Sequence, residues 1–127
     1  MRTRAALLAL ALVSPLHATD RPLSAYISGG VGLEERAAMR PHEAEFNLRL
    51  LFALSPSGQY LSAVHTLVAD ERGEILLRVD SEGPFVWMRL APGTYSIAVT
   101  VRGQTQNRRV TLDAGRAAVI PFYWKDR

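Results

Sequence analysis

Residues 83–101 read Gly83-Pro-Phe-Val-Trp-Met-Arg-Leu-Ala-Pro-Gly-Thr-Tyr-Ser-Ile-Ala-Val-Thr-Val101. From residue 94 onward, small or polar side chains alternate with apolar ones, which is the period of a strand with one buried face. Before that, Ala91-Pro92-Gly93 has the composition of a type II turn, in which proline presets φ and glycine supplies a positive φ. The stretch predicts two strands of opposite direction joined as a hairpin, and other strands must cover its apolar face.

Five further stretches have strand-like patterns with turn residues between them. The clearest is 46–54, in which alternate residues from Phe46 to Leu54 share one apolar face. The other four are 60–69, 74–79, 105–112 and 117–124. Short strands at intervals of about 8–12 residues are typical of a sandwich or barrel. The sequence therefore predicts an all-β fold, a seven-stranded antiparallel β-sandwich over 46–124, with 125–127 as a tail.

The alternation also predicts which side chains are buried. Leu48, Phe85, Tyr95 and Ile97 are assigned to the core. The last strand is apolar on both faces, so its register stays open in the sequence. Its residues 123 and 124 are adjacent aromatics, and one of them must face outward if the strand is regular.

A short motif in the opening stretch carries a family resemblance. Phe85-x-x-x-x-Leu90-x-Pro92-Gly93-x-Tyr95 is followed by Gly103, a strand, Ala114-Gly115 and a closing strand. This pattern resembles the carboxypeptidase regulatory-like domain, and the resemblance covers 46–124. It implies a transthyretin-like (prealbumin-like) β-sandwich. The whole chain is similar to small secreted bacterial proteins that carry this domain alone and whose function is uncharacterised.

The first eighteen residues have the features of a secretory signal peptide. Arg2 and Arg4 precede an apolar run over 5–13, and Leu16-His17-Ala18 offers a small residue at the cleavage point. The apolar run is too short to span a bilayer as a helix. We expect cleavage after residue 18, a periplasmic or secreted mature protein, and no transmembrane segment in it.

Charge and cysteine content exclude several classes of partner and site. Loss of Arg2 and Arg4 with the signal lowers the formal net charge from +3 to +1, so a nucleic-acid partner is not expected. The sequence has no cysteine, which excludes disulfides and thiolate metal sites.

Residues 19–45 form an N-terminal segment outside the predicted sandwich. They contain a glycine cluster at 28–32 and then helix formers over 33–40, which Pro41 should stop. A helix of about two turns is marginal alone, so it either covers an edge of the sandwich or meets a partner protein. With the C-terminal aromatics, the candidate partner surface consists of Leu33, Glu34, Glu35, Ala37, Met39, Tyr123 and Trp124.

The glycine cluster has a second interpretation. Ser28-Gly29-Gly30-Val31-Gly32 before a helix resembles an anion-binding loop. It lacks the Gly-Lys-Ser/Thr ending of a phosphate loop, and no clear strand precedes it. A flexible linker is therefore the favoured interpretation.

The sequence gives little support for an enzyme. A catalytic zinc needs about three protein ligands. His42, Glu43 and Glu45 could supply some of them, whereas His65 falls in a predicted strand. The Tyr-Arg-Gly-Ser ending of hydroxyisourate hydrolases, which share the transthyretin-like fold, is absent. We expect no catalytic residues, no metal and no cofactor. An unrecognised hydrolase is kept as the weakest alternative, to be favoured by a pocket that gathers these three residues.

The aromatic residues leave one further function open. Tyr60, Trp87, Tyr123 and Trp124 could form a platform on which sugars stack, although core packing is the favoured interpretation. An exposed aromatic row on one sheet would favour the platform. The sequence thus predicts a non-enzymatic, exported binding or interaction module of the bacterial envelope. Its partner is an unknown envelope protein or carbohydrate, and the alternative function is a carbohydrate- or envelope-polymer-binding domain.

Overall fold

The computed structural model describes residues 26–126, so the expected signal peptide lies outside the described residues. Eight strands are present in this range: β1 Tyr26–Gly29, β2 Leu48–Ser55, β3 His65–Ala69, β4 Ile75–Asp80, β5 Phe85–Met88, β6 Gly93–Val101, β7 Gln104–Leu112 and β8 Ala118–Lys125. The α-helix α1 spans Gly32–Met39, and a 3₁₀ helix follows over Arg40–Glu45. In the described part of the chain, no helix has the length and apolar character needed to cross a membrane.

The strands form two four-stranded sheets that share one apolar core, the arrangement of a β-sandwich. The first sheet has the order β1-β5-β2-β8, and the second has the order β4-β3-β6-β7. All pairs are antiparallel except β2 and β8, which are parallel. The predicted seven strands are wrong by one, and the fully antiparallel arrangement is wrong for the first sheet. The extra strand, β1, has only four residues of mixed character, and strand direction leaves no trace in an alternating pattern.

The predicted hairpin between β5 and β6 is also wrong. β5 pairs with β1 and β2 in the first sheet, whereas β6 pairs with β3 and β7 in the second sheet. The segment around Pro92 therefore carries the chain from one sheet to the other. Gly93 has the positive φ that was predicted, but its value of 159° is far from the roughly 80° that a type II turn requires at this position. Alternation looks the same whether a strand turns back within its sheet or crosses to another.

The core lies between the two sheets and confirms most of the predicted burial. Leu48, Tyr95 and Ile97 are buried in it as predicted. Trp124 points into the core and Tyr123 points out, which fixes the register of β8. Phe85 was assigned to the core and is instead half-buried on the outer face of the first sheet. Phe85 and Trp87 share one face of β5, as their spacing predicts, but this is the outer face of the sheet. The sequence could not show which face is the inner one, because Val86 and Met88 on the other side are apolar as well.

A second, smaller apolar cluster lies on the outer face of the first sheet, beneath α1. Met39, Phe46 and Trp87 are buried there, with Ile27 and Phe85 packed against them.

The α-helix ends before Pro41, as predicted, but the chain continues as a 3₁₀ helix. Proline is tolerated in its first turn, where no helical N–H bond is lost.

The predicted strand 60–69 is shorter in the structure. β3 begins only at His65, and Tyr60 makes a single antiparallel bridge to Ala53 in the first sheet. Between them the chain crosses to the second sheet, where the N–H groups of Ala63 and Val64 donate to the carbonyl and hydroxyl oxygens of Ser81 at 2.8 and 3.0 Å. This crossing leaves the Tyr60 side chain on the outer face of the first sheet, beside Phe85.

Candidate functional site

The outer face of the first sheet is covered on one half only. α1 lies over β1, because a Cβ added at Gly29 would meet Glu35 and Met39. The half formed by β2 and β8 has no such cover among the described residues. We call this half, with the bridging residue Tyr60, the open face. It consists of Leu51, Ala53, Tyr60, Val119, Pro121 and Tyr123.

Two exposed tyrosines flank one small residue on the open face. Ala53 is the neighbour of Tyr60 on one side and of Tyr123 on the other. Tyr60 is 45% exposed and Tyr123 is 50% exposed, whereas Ala53 is buried. Since neighbouring strands lie about 4.8 Å apart, the two tyrosine positions are separated by roughly 10 Å across the sheet.

Tyr60 is also the exposed end of an aromatic row. Its ring centroid lies 6.0 Å from that of Phe85, which lies 5.5 Å from that of Trp87. Phe46 extends the row at 6.2 Å from Trp87. These separations are in the range that aromatic pairs prefer. Burial increases along the row from Tyr60 to Trp87, so the packed end supports the accessible end.

A groove of about 230 Å³ runs between the open face and the two helices. Its lining combines aromatic, aliphatic and charged side chains: Arg36, Arg40, Glu43, Arg49, Leu50, Leu51, Tyr60, Phe85, Trp87 and Val119. Three of these side chains are arginines and one is a glutamate. The groove therefore joins a ring surface to a positively charged wall.

The three arginines of the groove are held differently. Arg49 donates from Nε to the Phe46 carbonyl oxygen and from Nη1 to Glu43 Oε2, each at 3.0 Å. The guanidinium carbon of Arg36 lies 4.9 Å from the Tyr60 ring centroid, and its Nη1 donates to the Gly30 carbonyl oxygen at 2.9 Å. Arg40 is exposed and forms no ion pair within residues 26–126. Only Arg49 is thus neutralised by a carboxylate.

The glycine cluster is a bound loop and not a flexible linker. The N–H groups of Gly30 and Val31 both donate to Glu35 Oε1 at 2.7 Å. Gly30 has a φ of 100°, and a Cβ there would lie 2.5 Å from the Phe85 ring. The carboxylate that these two N–H groups bind is the chain's own Glu35. The Gly30 and Val31 N–H groups are consequently not available to a phosphate.

The seven residues of the predicted partner surface do not form one surface. Leu33, Glu34 and Ala37 are exposed on α1, and Leu33 is 76% exposed. Tyr123 belongs to the open face. Met39 and Trp124 are buried, and Trp124 Nε1 donates to the Gln104 carbonyl oxygen at 3.3 Å. The burial of Met39 and Trp124 removes both from any accessible surface.

The candidate zinc residues do not converge. His42 Nδ1 lies 2.9 Å from Glu45 Oε2, whereas Glu43 pairs with Arg49. His65 pairs with Asp80 on the second sheet at 2.9 Å. Across 26–126 no three His, Asp or Glu side chains are grouped so that they could hold a metal ion. The pocket that would have favoured the hydrolase alternative is not formed by these residues.

The groove itself is absent from the sequence-based prediction. Its members come from the helices, β2, β5 and β8 and from the crossing at Tyr60, so no local pattern unites them. Two features of the sequence are weak indications of the groove. Arg36 and Arg40 are four residues apart, a spacing that places side chains on one side of a helix. The outward positions of β2 include Leu51 where a solvated face would carry a polar residue.

Comparison with known proteins does not assign the chain to a family. The sequence matches no protein-family model, and no curated protein is significantly similar to it.

Proposed function

We propose that the protein is a non-enzymatic binding module that holds a carbohydrate chain on its open face. The observation that carries the proposal is the pair of exposed rings, Tyr60 and Tyr123, on either side of Ala53. Aromatic side chains offer large apolar faces with a polar tip, which suits ligands that are apolar on one side and hydroxylated at their edges. A spacing of roughly 10 Å lets two rings contact separate units of one extended chain.

The fold holds this ring pair in place before any ligand arrives. β2 is an interior strand, so Ala53 is fixed by neighbours on both sides. Tyr60 packs against Phe85 on one side and carries the Arg36 guanidinium over its ring. The backbone carbonyl of Tyr123 accepts a hydrogen bond from Gln106 Nε2 at 2.7 Å, which links β8 to the second sheet. A preorganised surface loses less conformational entropy on binding.

The proposal includes export and a place in the bacterial envelope. The support for export is the basic and apolar segments of residues 1–18.

The proposal also includes the finer fold, a transthyretin-like sandwich of the carboxypeptidase regulatory-like family. The support for that fold is the role of the Leu90-x-Pro92-Gly93-x-Tyr95 motif, whose tyrosine hydroxyl bonds back to the Ala91 carbonyl at the crossing between sheets.

A protein partner on α1 is a second candidate. Val31 and Leu33 are large apolar side chains that are both exposed at the start of the helix. Such a pair on an envelope protein suits a small apolar contact with another protein. Glu34 adds a negative charge next to it. This candidate uses a different surface from the open face, so the two can be separated by substitution.

Titration with oligosaccharides of several compositions tests the carbohydrate proposal. Binding is measured by calorimetry for the unmodified protein and for Tyr60→Ala and Tyr123→Ala. The matched control is Tyr26→Ala, which removes a partly exposed tyrosine from β1. We expect each open-face substitution to weaken binding about tenfold, or about 1.4 kcal/mol, and the control to leave it unchanged. Equal binding by all four proteins would overturn the proposal. The partner surface at Leu33 on α1 would then be the remaining candidate.

A further inference from the structure

We infer that the carbohydrate is acidic and that its carboxylates lie against the arginine wall of the groove. This inference rests on the proposed function and narrows it to glycans that carry uronate units. The groove contains Arg36, Arg40 and Arg49 against a single carboxylate, Glu43, among its described lining residues. A bound anion would neutralise the positive charge of the groove that Glu43 alone does not balance.

The uncompensated charge can be traced to two arginines. Arg49 is already paired with Glu43, and its Nε is held by a carbonyl oxygen. Arg36 uses Nη1 for the Gly30 carbonyl, which leaves further guanidinium donors for a ligand. Arg40 is exposed and has no carboxylate partner within 26–126. Guanidinium groups match carboxylates in bidentate geometry, so these two arginines suit that group.

The combination of ring and charge at one place favours a sugar acid over a simple anion. Arg36 lies directly over the Tyr60 ring, with 4.9 Å from its guanidinium carbon to the ring centroid. Because the guanidinium covers part of the Tyr60 ring, the pyranose face of one unit is assigned to the exposed Tyr123 ring. The carboxylate of a neighbouring unit would meet Arg36 beside Tyr60. Inorganic phosphate would use the arginines but leave the ring pair of the open face without a role.

The first experiment compares two ligands that differ only in charge. Oligogalacturonate and its fully methyl-esterified form of equal length are titrated into the mature protein at low and high salt. We expect the acid to bind about tenfold more tightly at about 0.1 M salt. This preference should largely disappear at about 1 M salt, where the screening length falls from roughly 10 Å to 3 Å. The esterified form should be almost insensitive to salt.

The second experiment assigns the preference to Arg40. Arg40→Gln should weaken binding of the acid about three- to tenfold and leave binding of the ester unchanged. Arg40→Lys keeps the charge and should retain most of the preference. The matched control is Arg109→Gln, which removes an exposed arginine from the outer face of the second sheet. A loss of the same size in the control would overturn the assignment to the groove, because the effect would then report net charge.

The outcomes separate this inference from the proposed function. If acid and ester bind equally well and Tyr60→Ala loses both, the ligand is a carbohydrate but its acidity is not recognised. That result would overturn this inference and support the proposed function. Binding of neither would overturn both. Competition by inorganic phosphate at the same concentration as galacturonate would also overturn the inference, since it would show a simple anion site. A dimer in sedimentation that Tyr123→Ala dissociates would assign the open face to a second copy of the chain.

Discussion

The hydroxyl of Tyr95 donates a hydrogen bond of 2.6 Å to the carbonyl oxygen of Ala91. The two residues stand on either side of Gly93, where the chain leaves the crossing between the sheets and enters β6. The Tyr95 ring is buried in the core, so its hydroxyl requires a partner, and the carbonyl four residues earlier provides it. One side chain therefore joins the core to the corner that links the two sheets.

Replacement of this hydroxyl tests the corner directly. Tyr95→Phe keeps the ring and removes the hydrogen bond, which leaves the Ala91 carbonyl to water. We expect a loss of about 1 kcal/mol in the free energy of unfolding, measured by urea denaturation at neutral pH. Tyr123→Phe is the matched control, because its ring is half-exposed and should change stability little. An unchanged Tyr95→Phe protein would show that the bond does not stabilise the corner.

The same hydroxyl predicts a loss of stability in alkaline solution. Burial, with a smaller effect from the Asp70 carboxylate, raises the pKa of Tyr95 above its ordinary value of 10.0. The unfolded chain therefore releases this proton at lower pH than the folded chain does. The stabilisation is complete below pH 10 and declines as the pH rises from there toward the folded pKa. Tyr95→Phe should lack this component, so its stability should fall less steeply than that of the unmodified protein between pH 9 and about 11. Parallel curves would contradict the assignment.

The core assignment predicts a large effect at Ile97. This residue is 1% exposed and faces the first sheet from β6. Ile97→Ala should lower the free energy of unfolding by about 2–4 kcal/mol, through lost apolar burial and the remaining cavity. Val119→Ala is the control, since Val119 is 62% exposed on the open face and should cost little. Similar losses in both proteins would mean that the inward faces are misassigned.

The bound glycine loop predicts a contrast between two glycines of similar backbone. Gly30 and Gly32 have φ values of 100° and 82°, so alanine is strained at either position. A Cβ at Gly30 would in addition lie 2.5 Å from Phe85, whereas nothing lies within 4 Å at Gly32. Gly32→Ala should cost about 1 kcal/mol and Gly30→Ala clearly more. Thermal unfolding of the two variants measures the difference, and an equal cost would contradict the packing of the loop on Phe85.

The fold was predictable from sequence where alternation alone decides the structure. β2 and β6 expose and bury side chains with a period of two, so their existence and the burial of Leu48 and Ile97 could be inferred. Pairing could not, because the alternation around Pro92 is the same for a hairpin and for a crossing between sheets. β1 was missed because four mixed residues carry too little pattern, and its pairing with β5 arises only in the folded chain.

The candidate site was predictable only in fragments. Tyr60 and Tyr123 could be named only as candidates for a sugar platform, with core packing as the favoured interpretation. Their places on either side of Ala53 arise only in the folded chain. Arg36 reaches Tyr60 only because α1 lies back over the first sheet. These contacts join residues far apart in the chain, and local propensity has no means of encoding them.

The most direct test of the central claim is to map the ligand contact on the protein by nuclear magnetic resonance. Isotope-labelled mature protein is titrated with oligogalacturonate, and the amide shift changes are assigned to residues. We predict that the largest changes fall at Leu51, Ala53, Tyr60, Val119 and Tyr123, with smaller changes at Arg36 and Arg40. Residues on the outer face of the second sheet, such as Ala98, should not move. Changes confined to the second sheet or to Leu33, or no changes at all, would contradict the account.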